Sequence, residues 1–214
     1  MLTTSTMRID SLKTSPDRAG RYWVTFSDDS KIGLYRQTVE DFGLYTGKEL
    51  SDVEYDALMT AAGKMSAKMR AVRIVSASSV SKRDLQERLV RKGEDPEQAK
   101  EAVQWMEDLH LVDDRNTAEQ IVHSCISRGY GLQRAKQALY EKRIPKSYWD
   151  EALEDYPDQA ERIEGFLRSR LDADSDQKQI KKAIDALIRR GHSYGTIKGV
   201  LNGMSFDTED FIED

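Results

Sequence analysis

The sequence predicts a mainly α-helical fold: tandem three-helix repeats forming an elongated curved array, with a small N-terminal antiparallel β-sheet in front. Three observations predict it. Beyond about residue 62 apolar residues recur at helical spacing, with helix-start and helix-stop residues between the runs. That pattern repeats at shifts of about 50 and 98 residues. Ahead of it, short runs alternate polar and apolar residues, as half-buried strands do.

The strands come first. MRIDSL (7–12) and RYWVTF (21–26) alternate, SDDS (27–30) is turn chemistry, and KIGLY (31–35) returns as a partner strand. A three-stranded sheet is expected. A short helix near 36–42 should end at Gly43, and Ser51-Asp52-Val53-Glu54 reads as a capping box that opens a longer helix.

In the first helical unit Met65, Met69, Val72 and Val75 make an apolar stripe. Val80 can staple to Leu85 across the N-cap Ser81, and Leu85 and Leu89 continue the apolar face to Gly93, a C-terminal glycine. Asp95-Pro96 starts a third helix with Ala99, Ala102, Val103, Met106 and Leu109 on its inner face. A shift of 50 carries Leu89 to Leu139 and Lys92 to Lys142, and a shift of 98 carries Leu89 to Leu187 and Gly93 to Gly191. The expected organisation is therefore a small sheet plus helix (1–61), three repeats (62–112, 113–157 and 158–206) and an acidic tail (207–214). One such unit is too small to be comfortably stable alone, and stacking gives a continuous core.

Charge follows the same architecture. Lys and Arg minus Asp and Glu is +7 over 63–93, −7 over 94–114, +5 over 115–149, −7 over 150–176 and +5 over 177–204. The basic blocks fall mainly on the first and second helices of each unit, so a basic surface for phosphate or an acidic protein is expected. The single cysteine excludes an internal disulfide and fits a reducing cytoplasmic setting. No apolar run reaches the roughly 20 residues of a membrane span, and MLTTSTMRID lacks the build of a signal peptide.

The stretch HSCISRGYGLQRA (123–135) invites a catalytic reading, which helical spacing rejects. Ala118, Ile121, Val122, Cys125 and Ile126 share one face, so Cys125 is expected in the core and His123 on the far side of the helix. Gly129 fits a left-handed helix cap and Gly131 a turn into the next helix, with no preceding strand or third glycine to make a dinucleotide site. His110 and His192 have no ligand-spaced partners, and Asp113-Asp114 fits a helix N-cap better than a metal site. Trp105, Trp149 and Tyr156 fall on apolar faces. Tyr130, beside Arg128 and Arg134, and Tyr194, beside Arg189 and Arg190, are either exposed contact residues or tyrosines packed over junctions. No catalytic site, cofactor or metal is expected.

These residues resemble a known family. SRGYGLQRAKQALYEKRI (127–144) and RRGHSYGTIKGVL (189–201), in this order and spacing, are similar to the second and third units of the RecX regulatory proteins of bacteria. The resemblance covers about 60–204, and the sheet is similar to an extension that some members carry. It departs at Lys142-Arg143, where the helix-ending glycine is missing, at Thr117, where an aromatic residue is frequent, and in the acidic overall charge of −5. The resemblance implies a monomer that lies in the groove of the RecA–DNA filament and modulates, typically inhibits, filament growth, ATP hydrolysis, strand exchange and the coprotease activity of the SOS response. Candidate partner-binding residues are Lys82, Arg83, Arg88, Arg91 and Lys92 in the first unit. In the second they are Arg128, Tyr130, Arg134, Lys136, Lys142 and Arg143, and in the third Lys181, Lys182, Arg189, Arg190, Tyr194 and Lys198. Alternatives are a direct nucleic-acid binder, with at most weak contact to free DNA given the net charge, or a helical scaffold for other proteins.

Overall fold

The computed structural model describes residues 6–204 and 206, so the acidic tail lies outside the described residues. The chain divides after Val112 into two compact units.

The first unit opens with strands β1 (Thr6–Thr14), β2 (Arg21–Phe26) and β3 (Lys31–Tyr35), then helix α1 (Arg36–Asp41), strand β4 (Glu49–Ser51) and helix α2 (Asp52–Ala77). The sheet is antiparallel in the order β3-β2-β1-β4, four strands rather than the expected three. The added strand pairs Thr6 with Ser51 and Met7 with Leu50. Glu-Leu-Ser is too short to show alternation, and it is pairing to β1 that makes it a strand. One sheet face buries Ile9, Val24, Phe26 and Leu34 together with Leu50 and with Leu58 and Ala62 of α2. Phe26 meets Tyr55 edge-on, with ring centroids 5.2 Å apart.

The capping box forms as read: the Glu54 amide donates to the Ser51 hydroxyl, and the Ser51 amide donates to the Glu54 carboxylate at 2.8 Å. Helix α2 then runs unbroken for 26 residues. Its later half packs on α3 (Lys82–Arg91) and α4 (Pro96–Asp108) through Ala67 and Ala71. The expected stripe of Met65, Met69, Val72 and Val75 is only half-buried. Small alanines let α4 approach closely, so they rather than the methionines form the seam. Leu109 is a second correction: it stands 48% exposed, because α4 ends at Asp108 and His110 turns the chain left-handed at φ 56°. Ser81 and Asp95 cap α3 and α4 as expected.

The second unit holds α5 (Asp114–Ser127), α6 (Leu132–Glu141), a 3₁₀ turn (Lys146–Tyr148) and α7 (Trp149–Leu153), followed by α8 (Ala160–Arg168), α9 (Gln177–Arg189) and α10 (Tyr194–Gly203). Two clusters fill it, one around Ala118, Val122, Leu139 and Ile144, the other around Ile163, Leu167, Ile184, Leu187, Ile197 and Leu201. Trp149 and Tyr156 are half-buried at the edge of the first of these, and Trp105 at the edge of the α2–α4 cluster, rather than fully inside.

Helices α3, α6 and α9 end in the same way. Gly93 donates its amide to the Val90 carbonyl and Glu94 to Leu89; Arg143 donates to Tyr140 and Ile144 to Leu139; Gly191 donates to Ile188 and His192 to Leu187. The middle helix lacks the glycine yet keeps the geometry: Arg143 adopts φ 57° where Gly93 and Gly191 have 90° and 87°. Each motif ends by burying its last residue, Glu94, Ile144 or His192.

Leu89 is fully buried while its neighbour Val90 is 40% exposed. Leu89→Ala should therefore cost about 2–5 kcal/mol of stability by urea denaturation. Val90→Ala should change it by about 0.5 kcal/mol or less.

Candidate functional site

The basic helices of the three repeats differ in how their charges are used. On α3, Lys82 pairs with Glu107 at 2.7 Å, Arg83 with Glu87 at 3.1 Å and Arg88 with Asp84 at 2.9 Å. Arg91 and Lys92 stand exposed at its end. On α6, Arg134 pairs with Glu141 at 3.3 Å, Lys136 and Lys142 are half-buried, and Arg143 follows on the surface. On α9, Lys181, Lys182 and Arg189 are all exposed, and among the described residues none has an ion-pair partner. At 3.6 residues per turn they share one face with Lys178, opposite the buried Ile180, Ala183, Ile184 and Leu187. Exposed ion pairs contribute little stability but they do neutralise charge, so α9 carries the most available positive charge of the three. Lys198 adds an exposed cation on α10.

The Arg- and Tyr-bearing junctions of the second and third repeats meet. The Gly131 amide donates to the Arg190 carbonyl at 2.9 Å, and the Gln133 amide to the Gly191 carbonyl at 3.1 Å. These are orphan donors at the start of α6 meeting orphan acceptors past the end of α9. Gly129 takes the expected left-handed conformation at φ 68°. Gly131 needs a different account from the turn expected of it. Its φ is an ordinary −78°, but a Cβ there would strike the Gly191 carbonyl. A Cβ on Gly191 would strike the backbone of Arg134.

The carbonyls at the end of α5 are closed by cationic and imidazole side chains. Arg162 donates to the Ile126 carbonyl, Arg190 to Arg128 at 3.0 Å and His192 to Gly129 at 3.2 Å. Positive charge at a helix C-terminus is favourable. The Arg190 guanidinium also lies over the rings of Tyr130 and Phe166, at 5.9 and 5.7 Å. Arg190 is thus held in the junction, and Arg128 contributes its carbonyl to it. Tyr130 and Tyr194 are both half-buried and pack over junctions, Tyr194 against the α8–α10 cluster. Sequence reasoning missed Arg162, Phe166 and His192 as partners in this arrangement. The signal available was a glycine at each junction beside an arginine, which names the junctions without pairing them.

A carbonyl only accepts, so His192 carries its proton on Nε2, and its buried Nδ1 has no partner among the described residues. Burial, then the charges of Arg190 and Arg162, push the imidazole pKa below its usual value against the upward pull of the Gly129 carbonyl. Burial likewise raises the Cys125 thiol, against Arg134 and Arg128. That is the opposite of an activated nucleophile, and His123 is exposed, away from it. Burial also pushes the Tyr156 hydroxyl up to about 12, with the neighbouring Cys125 adding to it; the hydroxyl donates to the Tyr130 carbonyl at 2.8 Å. Asp113 caps α5 by accepting from the amides of Arg115 and Asn116. Among the described residues no group of three or more His, Cys, Asp and Glu side chains could hold a metal ion. None of the described helices is long and apolar enough to cross a membrane.

The family description "RecX, second three-helix domain" matches residues 113–153, which span α5 to α7. "Regulatory protein RecX" of Chlorobaculum tepidum is 32% identical over 139 residues, covering 63% of this chain and 86% of that relative. The chain belongs to the RecX family. The RecX protein of Clostridioides difficile is 27% identical over 210 residues, 95% of this chain and 97% of the relative, so the sheet-bearing part is matched too. A crystal structure of a regulatory protein RecX superposes with a TM-score of 0.62 at 22% identity, over 92% of this chain and 99% of the other. RecX from Lactobacillus salivarius gives 0.59 at 21% identity over 68% of this chain and 98% of that one. At these identities the two structures establish the RecX fold.

Two predictions follow from the RecX junction. Gly191→Ala should destabilise the protein by about 1–3 kcal/mol in chemical denaturation. Gly165→Ala, in the open middle of α8 with nothing near its Cβ, should stabilise it by about 0.5–1 kcal/mol. The second concerns pH. Unfolded His192 takes up a proton near 6.5 and the folded residue only at lower pH, so the unfolded state binds more protons and stability falls as pH drops below about 6.5. Parent protein should lose more stability than His192→Gln between pH 7.5 and 5.5, read as the shift in urea midpoint.

Proposed function

We propose that this RecX chain regulates the RecA recombinase as an inhibitor. In this reading it binds in the groove of the RecA–DNA filament, without chemistry of its own, and restrains filament growth, ATP hydrolysis, strand exchange and coprotease activity. Family membership supports the regulatory role, and its relatives carry the name of regulatory protein. The observation that carries the mode of binding is the face of α9, where Lys178, Lys181, Lys182 and Arg189 stand exposed, without ion pairs, on a rigid helix. Such a face complements acidic protein surface or phosphate, and it speeds encounter as well as fixing register. Arg91 and Lys92 on α3 would be a second contact. Arg190 is assigned a supporting role, because its guanidinium is taken up by the Arg128 carbonyl and two rings.

The test is a titration of RecA's DNA-dependent ATPase at several salt concentrations. Parent protein should inhibit at or below equimolar ratio. The variant Lys181→Glu/Lys182→Glu/Arg189→Glu should need roughly tenfold more protein for the same inhibition, with unchanged circular dichroism. Undiminished inhibition by the folded triple variant would remove α9 from the interface. Normal RecA activity in excess parent protein would contradict the regulatory reading itself.

A further inference from the structure

The sheet has a second face, opposite the one packed on Leu58 and Ala62 of α2, whose side chains are exposed or half-buried. Residues directly opposite in an antiparallel ladder share a face. The register therefore places Arg21 beside Tyr35, Lys13 beside Trp23 beside Gly33, and Ser11 beside Thr25 beside Lys31 on the side away from the buried Val24 and Phe26. Around Trp23 this face carries Lys13, Arg21 and Lys31; towards β4 it also carries Arg8, which pairs with Asp10 at 2.9 Å and lies opposite Glu49. At its centre Trp23 is 51% exposed and belongs to none of the hydrophobic clusters. Glycine at position 33 leaves room for the indole and for Arg21, whose guanidinium donates to the Gly33 carbonyl at 3.2 Å. The same guanidinium lies 4.1 Å from the Tyr35 ring centroid. Arg73 of α2 reaches the Tyr35 hydroxyl at 3.2 Å and brings a further cation to that edge.

We propose that this face binds single-stranded nucleic acid, with a base stacked on Trp23 and the backbone phosphates met by Lys13, Lys31 and Arg21. The chemistry selects the occupant. The face has no aliphatic side chain of the kind an apolar protein contact would use. Its apolar surface is planar and aromatic, and Lys13, Arg21 and Lys31 flank it, the combination that stacks bases without reading sequence. A duplex keeps its bases stacked on each other and cannot offer one to the indole. The inference does not depend on the RecA reading, since it concerns the first unit and is tested without RecA.

The experiment measures binding of a fluorescein-labelled 12-nucleotide oligothymidylate to the full chain by anisotropy. Indole N–H signals are followed by ¹⁵N NMR, with the Trp23 signal assigned from Trp23→Phe. The oligonucleotide should shift the Trp23 indole signal and leave those of Trp105 and Trp149 in place. Trp23→Ala should weaken binding about tenfold, and Trp23→Phe, which keeps a stacking ring, much less. Lys13→Glu/Lys31→Glu should weaken binding and make the slope of log affinity against log salt shallower by about 1.4. Absence of binding, equal affinity of Trp23→Ala, an unmoved Trp23 signal at saturation, or tighter binding of duplex would each overturn the proposal. Displacement of the oligonucleotide by polyglutamate at equal charge concentration would overturn it in favour of an acidic protein surface.

Discussion

Two backbone hydrogen bonds, from Gly131 and Gln133 to Arg190 and Gly191, fix the relation between the second and third repeats. Each contributes only about 0.5–1.5 kcal/mol net. Their weight lies in geometry, since they require main chain to approach main chain with no Cβ between. That requirement explains a glycine of ordinary φ at 131 and one of positive φ at 191. The side chains around the contact complete it. Arg162, Arg190 and His192 donate to the carbonyls of Ile126, Arg128 and Gly129 at and just past the end of α5, where the helix leaves acceptors without intrahelical partners. The repeats are thus joined by the same groups that terminate their helices.

This constraint sorts the charges into two kinds. Arg190, though conspicuous in sequence, is consumed by the joint. Lys181, Lys182 and Arg189, on a helix whose end the joint holds, keep their charge for the surface. The α3 cations are largely matched by acids on α3 and α4, so equivalent helices in sequence are unequal in electrostatics. The shared helix ending shows the same economy, with Arg143 holding a left-handed conformation where the other two repeats place glycine.

Much of this was legible in the sequence. Capping residues are local and were readable as such at Ser51, Ser81, Asp95 and Asp113. Helical periodicity placed Cys125 in the core and His123 outside it. Strand β4 was not legible, because three residues carry no period and their conformation comes from pairing to β1. The α2 seam was misread because apolar character points to Met65 and Met69, whereas close helix packing selects Ala67 and Ala71. Gly131 was legible as a glycine and illegible as a contact, since its partner lies some sixty residues away. The candidate surface divides in the same manner: sequence shows which residues are basic, and only three-dimensional pairing shows which of them stay available.

The central claim is that the second and third repeats form one piece through the 131–191 backbone contact and thereby present α9 in a fixed orientation. Native-state hydrogen exchange at the amides of Gly131 and Gln133 tests it most directly. Both have carbonyl partners only in the other repeat, so protection there reports the joint and nothing else. The account predicts that the two amides exchange with the same opening free energy as the buried core amides of α9. Exchange at near-unprotected rates while α6 and α9 stay protected would contradict it.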